Sequence, residues 1–390
     1  VISVINPTRR RLLGLAVAGV LPQPAWANPA ATARYLSARY LSARKRNGHF
    51  EAVVFDSDGR DLQVIALPAR GHSFAIDPDY PRAVVFARQA GFFAMAFELA
   101  GEGTANRAPH TITPAPGRHF YGHGVYIDEG RVLVATENDF EAERGVLGLY
   151  DATPQGNYRR IGEYDSGGIG PHEVIVMPAA KHQTHTLCVA NGGILTHPDY
   201  GKLALNLADM VPSLAYLDAR TGALLEQHYL PPELHRLSIR HLTLDAAGHV
   251  WFGCQFMGEA SARVPLVGRH RRGQPLELFS APEAIQHGLK NYIGSIAADA
   301  TGRVIASSSP VGGHIAYWDA ATGRSLGATE LFDGCGVAPA SAATGFLLTS
   351  GAGRLMAAGP GRAARTLHDP ASDAAAGLSW DNHCRALRSA

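Results

Sequence analysis

Four histidines recur at one place in a repeated phrase: His72, His123, His172 and His241. They stand in Gly71-His72-Ser73-Phe74, Gly122-His123-Gly124-Val125, Pro171-His172-Glu173-Val174 and Arg240-His241-Leu242-Thr243. Imidazole ligates Cu, Fe, Zn and Ni, and three or four convergent imidazoles make a metal site. Two acids belong to the same reading. Glu173 is adjacent to His172, and Glu137 ends the strand that follows the second copy. Either could complete a His/carboxylate set or orient a ligand histidine from behind. Arg70, Arg118 and Arg240 sit at or just before the repeated phrases. Forked guanidinium donors there would instead suit an anion or carboxylate. Three roles stay open for the histidines: metal or haem ligands, acid/base or substrate-orienting groups, and structural braces bonded to neighbouring carbonyls.

The phrase that holds these histidines is the signature of the elements around it. It opens an apolar run, and a turn and a second apolar run follow. Two further copies lack the imidazole: Ile293-Gly294-Ser295-Ile296 and Gly334-Cys335-Gly336-Val337. A self-similar, strand-only unit recurring every ~40–70 residues indicates a β-propeller, whose innermost strands line a central channel. A third run in several cycles ends in an aromatic or leucine plus Asp, as in Tyr150-Asp151, Leu217-Asp218 and Trp318-Asp319. A turn such as Arg220-Thr221-Gly222 and an outer strand complete a four-stranded blade.

The chain starts in mid-cycle. Its first strands, including Phe50 to Phe55 and Leu62 to Leu67, lack an inner partner. Gly377-Leu378-Ser379-Trp380-Asp381-Asn382-His383 supplies one and adds a fifth histidine, His383. The expectation is an all-β, seven-bladed β-propeller closed by strands from both termini, which removes a free sheet edge. Equivalent residues of its inner strands then meet at one mouth of the channel. The cycles of Gly294 and Gly336 carry no histidine, so the expected site is lopsided and open toward them. The longest excursions are expected at Gly192 to Pro212 and Met257 to Gln274.

Composition agrees with many short strands and tight turns. The 390 residues include 43 glycines and 24 prolines, with 18% charged residues and 18 histidines. A net charge of +1 gives no broad pull toward nucleic acid or an anionic membrane. Residues 1–27 read as a twin-arginine signal peptide: Thr8-Arg9-Arg10-Arg11-Leu12-Leu13, a short apolar stretch, then Ala25-Trp26-Ala27. This predicts a periplasmic protein whose residues 28–390 form one propeller domain, without a membrane span in the mature chain. Cys188 and Cys254 lie in apolar runs and read as buried small hydrophobes. Cys335 and Cys384 fall near the ring closure, where a bridge is open to them. Glu137-Asn138-Asp139-x-Glu141 reads as a solvated turn or a Ca²⁺ loop without EF-hand spacing. Phosphate-loop, dinucleotide and nucleophile-elbow motifs are missing.

Several ordered motifs are similar to one bacterial family. They are Gly117-Arg118-His119-Phe120-Tyr121-Gly122-His123-Gly124, Ala135-Thr136-Glu137-Asn138-Asp139, Gly168-Ile169-Gly170-Pro171-His172-Glu173, Asn191-Gly192-Gly193 and Ser307-Ser308-Ser309-Pro310. The chain resembles the periplasmic group catalogued as domain of unknown function 1513. That resemblance implies a seven-bladed propeller of the quinoprotein and lactonase-like type. It also implies a setting beside imelysin-like and di-haem periplasmic proteins in iron-uptake clusters. The reading it favours is an accessory to iron, copper or haem handling, with the histidine-lined channel as the site. A lactonase-like or quinoprotein-like enzyme and a protein-interaction platform are the alternatives.

Overall fold

The computed structural model describes residues 39–387 apart from 101–106, 180–184, 202, 341–343 and 370–376. The leader expected at 1–27 lies outside the described residues. Seven four-stranded antiparallel sheets follow one another around a ring. Blade 1 pairs Ser379–Leu387, as its innermost strand, with Arg39–Arg46, His49–Asp56 and Asp61–Leu67. The ring is therefore closed by a C-terminal strand against the first three strands. The inner strands of blades 2 to 7 are Gly71–Ile76, Arg118–Ile127, Pro171–Met177, Leu237–Leu244, Ser295–Ala298 and Gly334–Pro339.

Helix is confined, among the described residues, to Glu283–Gly288 and two single 3₁₀ turns, and no helix is long and apolar enough to cross a membrane. The predicted Asp turns appear as drawn. Asp218 Oδ1 accepts from the N–H groups of Arg220 and Thr221, at 2.9 and 2.8 Å, and Gly222 takes φ +73° to close the loop.

Alternation along each strand puts one apolar face against each neighbouring blade. Leu41, Val54 and Leu387 meet Phe74 and Val85 between blades 1 and 2, and Phe86 and Phe120 meet between blades 2 and 3. Trp251, Phe252 and Trp318 fill the space from blade 4 to blade 6. Phe55 and Trp380, with ring centroids 4.9 Å apart, seal blade 1 against blade 7.

Three local expectations need correction. Cys335 and Cys384 form no bridge; all four cysteines are free and buried. The 257–274 excursion is not one loop, because Val267–His270 returns as the third strand of blade 5. Glu137-Asn138-Asp139 is neither a solvated turn nor a Ca²⁺ loop. The three are buried at the end of strand Val132–Asp139, and each is already engaged by protein groups.

Candidate functional site

Each histidine-bearing inner strand breaks register at its histidine. In blade 2 the register jumps between Gly71 and Phe74, around His72. In blade 3 it jumps between Phe120 and Gly124, around His123. His172 is the unpaired residue between Pro171 and Glu173, and Arg240 is the unpaired residue before His241. In blade 1 the break spans Asp381 to His383, opposite Ala43. Such bulges twist a strand and re-aim its side chains. Blade 6, whose inner strand has no histidine, keeps regular register along Ser295–Ala298. Blade 7 is bulged at Cys335-Gly336 but offers no imidazole there.

The bulges bring five imidazoles together on the axis. His72, His383, His241 and His172 form a ring, with successive centroid separations of 4.6, 4.8 and 4.6 Å and a closing side of 6.1 Å. His123 lies within reach of all four, at 5.1 Å from His72, 4.8 Å from His383, 5.8 Å from His241 and 5.1 Å from His172. All five are buried. Ring nitrogens of His72, His123 and His172 lie within 4.8 Å of one another, and so do those of His123, His241 and His383. His123 is common to both sets.

None of the five bonds a backbone carbonyl, unlike histidines elsewhere in the chain. His119 Nδ1 faces Phe120 O at 3.1 Å, and His270 Nε2 faces Gln274 O at 2.9 Å. In the cluster, His123 Nε2, His172 Nδ1, His241 Nδ1 and His383 Nε2 are buried without a hydrogen-bond partner among the described residues. Buried polar atoms are seldom left so. A brace would have satisfied them.

Two carboxylates stand behind the cluster. Asp381 Oδ1 is 3.3 Å from His72 Nδ1, and the same carboxylate pairs with Arg70 Nε and lies 3.5 Å from Arg88 Nη1. Glu173 Oε1 accepts from Arg385 Nη2 at 2.7 Å and is 3.6 Å from His123 Nδ1. Glu173 Oε2 accepts from the N–H of Leu242 at 3.1 Å and lies 3.4 Å from His241 Nδ1. Burial acts to raise both carboxyls. His72, with Arg88 and Arg70, overrides it at Asp381, and His123, with Arg385, overrides it at Glu173, so both are held well below the usual carboxylate range. An ionised carboxylate only accepts, so it favours the proton on the nitrogen facing it. The Nε2 lone pairs of His72, His123 and His241 are thereby left for a ligand.

Burial and mutual repulsion keep His72, His172, His241 and His383 neutral. Burial pushes His72 down to about 3 despite Asp381, and His241 down to about 4 despite Glu173. Burial, with neighbouring His241 and Arg240, pulls His172 well below its ordinary value; burial and His72 do the same to His383. Neutral imidazole is the form that binds metal.

The cluster is a septum with a cavity on each side. One cavity, of about 270 Å³, is lined by His72, His172, His241, Arg240 and Asn382 among others. The other, of about 650 Å³, is lined by His123, Glu173 and Arg385 together with Val125, Val174 and Val176. No residue of Ser295–Ala298 or Gly334–Pro339 lines either of these two cavities, and Tyr292, just before the first of these strands, lines the smaller.

Glu137 and Arg118 belong elsewhere. Glu137 accepts from Tyr150 Oη at 2.5 Å and from Arg160 Nη2 at 3.0 Å, and Arg118 pairs with Glu163 and, at 3.1 Å, with Asp139. Neither lines a cavity. Burial raises the Glu137 carboxyl, opposed by Arg160. These residues tie the strands of blade 3 together. A second histidine group, Glu226, His228 and His270, is also no match for the axial cluster: both nitrogens of His270 are engaged, by Tyr216 Oη at 2.7 Å and by Gln274 O.

Asp381, Arg385, Arg88 and Asn382 escaped the sequence reading. Period-two alternation from His383 points to Asp381 and Arg385, so that signal was available. Arg88 follows the second strand of blade 2, and no local pattern marks it.

The fold and site define a seven-bladed propeller with five histidines packed across its channel. The chain belongs to the family described as protein of unknown function (DUF1513), whose model matches residues 65–387. Among solved structures, it is similar to Kuenenia stuttgartiensis hydrazine synthase at 11% identity. That alignment has a TM-score of 0.54 and covers 78% of this chain and 87% of the other. At that identity the likeness is one of fold alone. No curated protein matches.

Proposed function

We propose that this chain is a periplasmic metal-binding propeller serving metal handling, iron foremost, with one first-row transition-metal ion held by the axial histidines. The observation that carries this reading is the set of five buried imidazoles gathered on the axis, with ring nitrogens that lie close to one another and bond no carbonyl among the described residues. Haem iron takes one or two axial protein ligands, so five convergent imidazoles suit a bare ion better. His72, His123, His172, His241 and His383 would supply the donors. Asp381 and Glu173 would fix their tautomers, and the arginines behind these carboxylates would keep both ionised. Imelysin-like or di-haem periplasmic proteins are the partner classes this role calls for.

The test is direct. Metal-free chain is titrated with Cu(II), Zn(II) and, without oxygen, Fe(II), and the loaded protein is assayed for elemental content. One ion per chain is expected, with Cu(II) tightest because nitrogen sites follow the Irving–Williams order. Loss of a partner behind a metal ligand weakens binding by about 10–100-fold, so His123→Ala, which removes a donor common to both sets, should cost at least that. If no metal binds, the reading is wrong.

The cavity beside His72, His172 and His241 favours a second reading, catalysis of the lactonase-like or quinoprotein-like kind. It predicts turnover of lactones or reduction of dyes that disappears in His172→Ala.

A further inference from the structure

The smaller cavity has a chemistry that metal binding does not use. Two arginines, Arg240 and Arg88, line it, and no carboxylate does. Arg240 is the bulged residue of blade 5. Its only hydrogen bond runs from Nε to Ser238 Oγ, at 3.0 Å. It has no ion pair among the described residues, and its two terminal nitrogens have no protein partner. The most buried arginine among the described residues is paired. This is Arg44, which forks onto both oxygens of Asp61 at 2.7 Å.

A desolvated cation without a counter-charge is costly. Two further polar groups on the wall are free. The Tyr292 hydroxyl and the side-chain amide of Asn382 make no hydrogen bond among the described residues, and Asn382 is only 6% exposed. The rest of the wall is partly apolar, from Ile194, Ala204 and Met257. Ile194 and Ala204 come from the long excursion after blade 4's second strand. That excursion is pinned over the cavity by Asn206, which accepts from the N–H of Leu195 at 2.7 Å and donates to Gly193 O at 2.9 Å.

We infer that this cavity is a binding site for a small organic carboxylate. The planar fork of Arg240 matches the two carboxylate oxygens. Tyr292 and Asn382 supply further polar contacts, and Ile194 and Met257 receive the apolar body. Inorganic phosphate offers nothing to that apolar part of the wall. The site shares its wall with His72, His172 and His241, whereas His123 lines only the opposite cavity, so removing His123 disturbs the metal donors without touching the carboxylate contacts.

The experiment is calorimetric titration of the metal-free, full-length chain with benzoate, acetate and inorganic phosphate. Arg240→Gln, Arg240→Lys and His123→Ala variants are run alongside, each checked for native circular dichroism and cooperative melting. Benzoate should bind once per chain, tighter than acetate or phosphate. Its affinity should fall at least tenfold in Arg240→Gln and recover in part in Arg240→Lys, which restores the charge but not the fork. His123→Ala should keep benzoate affinity while losing metal, so the two sites fail independently. Absent benzoate binding, or equal binding in folded Arg240→Gln, overturns the inference. Phosphate binding as tightly as benzoate overturns its organic-carboxylate part.

Discussion

His123 carries more of the site than any other residue. It contacts every other histidine of the cluster, shares Glu173 with His241, and has a buried Nε2 with no partner. The four neighbours whose values are displaced stay neutral well into acid, and this has a consequence for stability. An unfolded histidine protonates near 6.5, whereas His72 and His241 do so only near 3 and 4 in the folded chain. Between those values the unfolded state binds more protons than the folded one. Stability is therefore complete above about pH 6.5 and is lost as pH falls, by roughly 1.4 kcal/mol per pH unit for each such histidine. Asp381 and Glu173, held low, add to the loss only in stronger acid. Denaturant unfolding of metal-free protein from pH 7.5 to 4.5 should show the onset near 6.5, and His383→Gln should flatten the slope. An unchanged midpoint across that range would contradict neutral burial of the cluster.

At the level of elements, the bulges decide the site. A regular strand alternates its side chains between the two faces of its blade, and a register break frees one of them to lean over the axis. Gly122 is the clearest case. It takes φ +104°, and a Cβ there would sit 2.6 Å from His72 Cδ2. Gly248 takes φ +82° with nothing within 4 Å of such a Cβ. Gly248→Ala should cost about 1 kcal/mol of backbone strain. Gly122→Ala should add an overpacking cost of about 1–3 kcal/mol and push His72 out of the cluster, with weaker metal binding. Comparing melting temperatures and metal affinity of the two variants separates the effects. Equal behaviour would mean that His72 does not depend on this contact.

For the whole molecule, closure matters most. Ser379–Leu387 is the inner strand of blade 1, and it supplies Trp380 to the blade 7 interface and Asp381, His383 and Arg385 to the channel. Removing residues 377–390 would expose the edge of Arg39–Arg46 and unseat Phe55 from Trp380. Such a chain should lose its single cooperative melt and aggregate on gel filtration. A truncated chain that stays monomeric and melts as sharply as the full one would show that the ring holds without its last strand.

The blades were legible in the sequence because each is a local cycle of apolar alternation and turns, and the Gly-His phrase marked the inner strand directly. The seventh copy at Trp380-Asp381-Asn382-His383 was legible for the same reason. Glu137 and Arg118 show the limit. Their proximity to the His123 phrase is real along the chain, but the strand pairing turns them toward Tyr150, Arg160 and Glu163. Sequence by itself determined the number of blades, their order and which inner strands carry a histidine into the channel. Only the tertiary structure decided that five imidazoles pack into one septum, that Asp381 and Glu173 stand behind it, and that Arg240 is left without a counter-ion. Those facts depend on residues from about 50 to more than 300 positions apart meeting on one axis, with bulges setting the angle of each, and no local pattern specifies where such side chains converge.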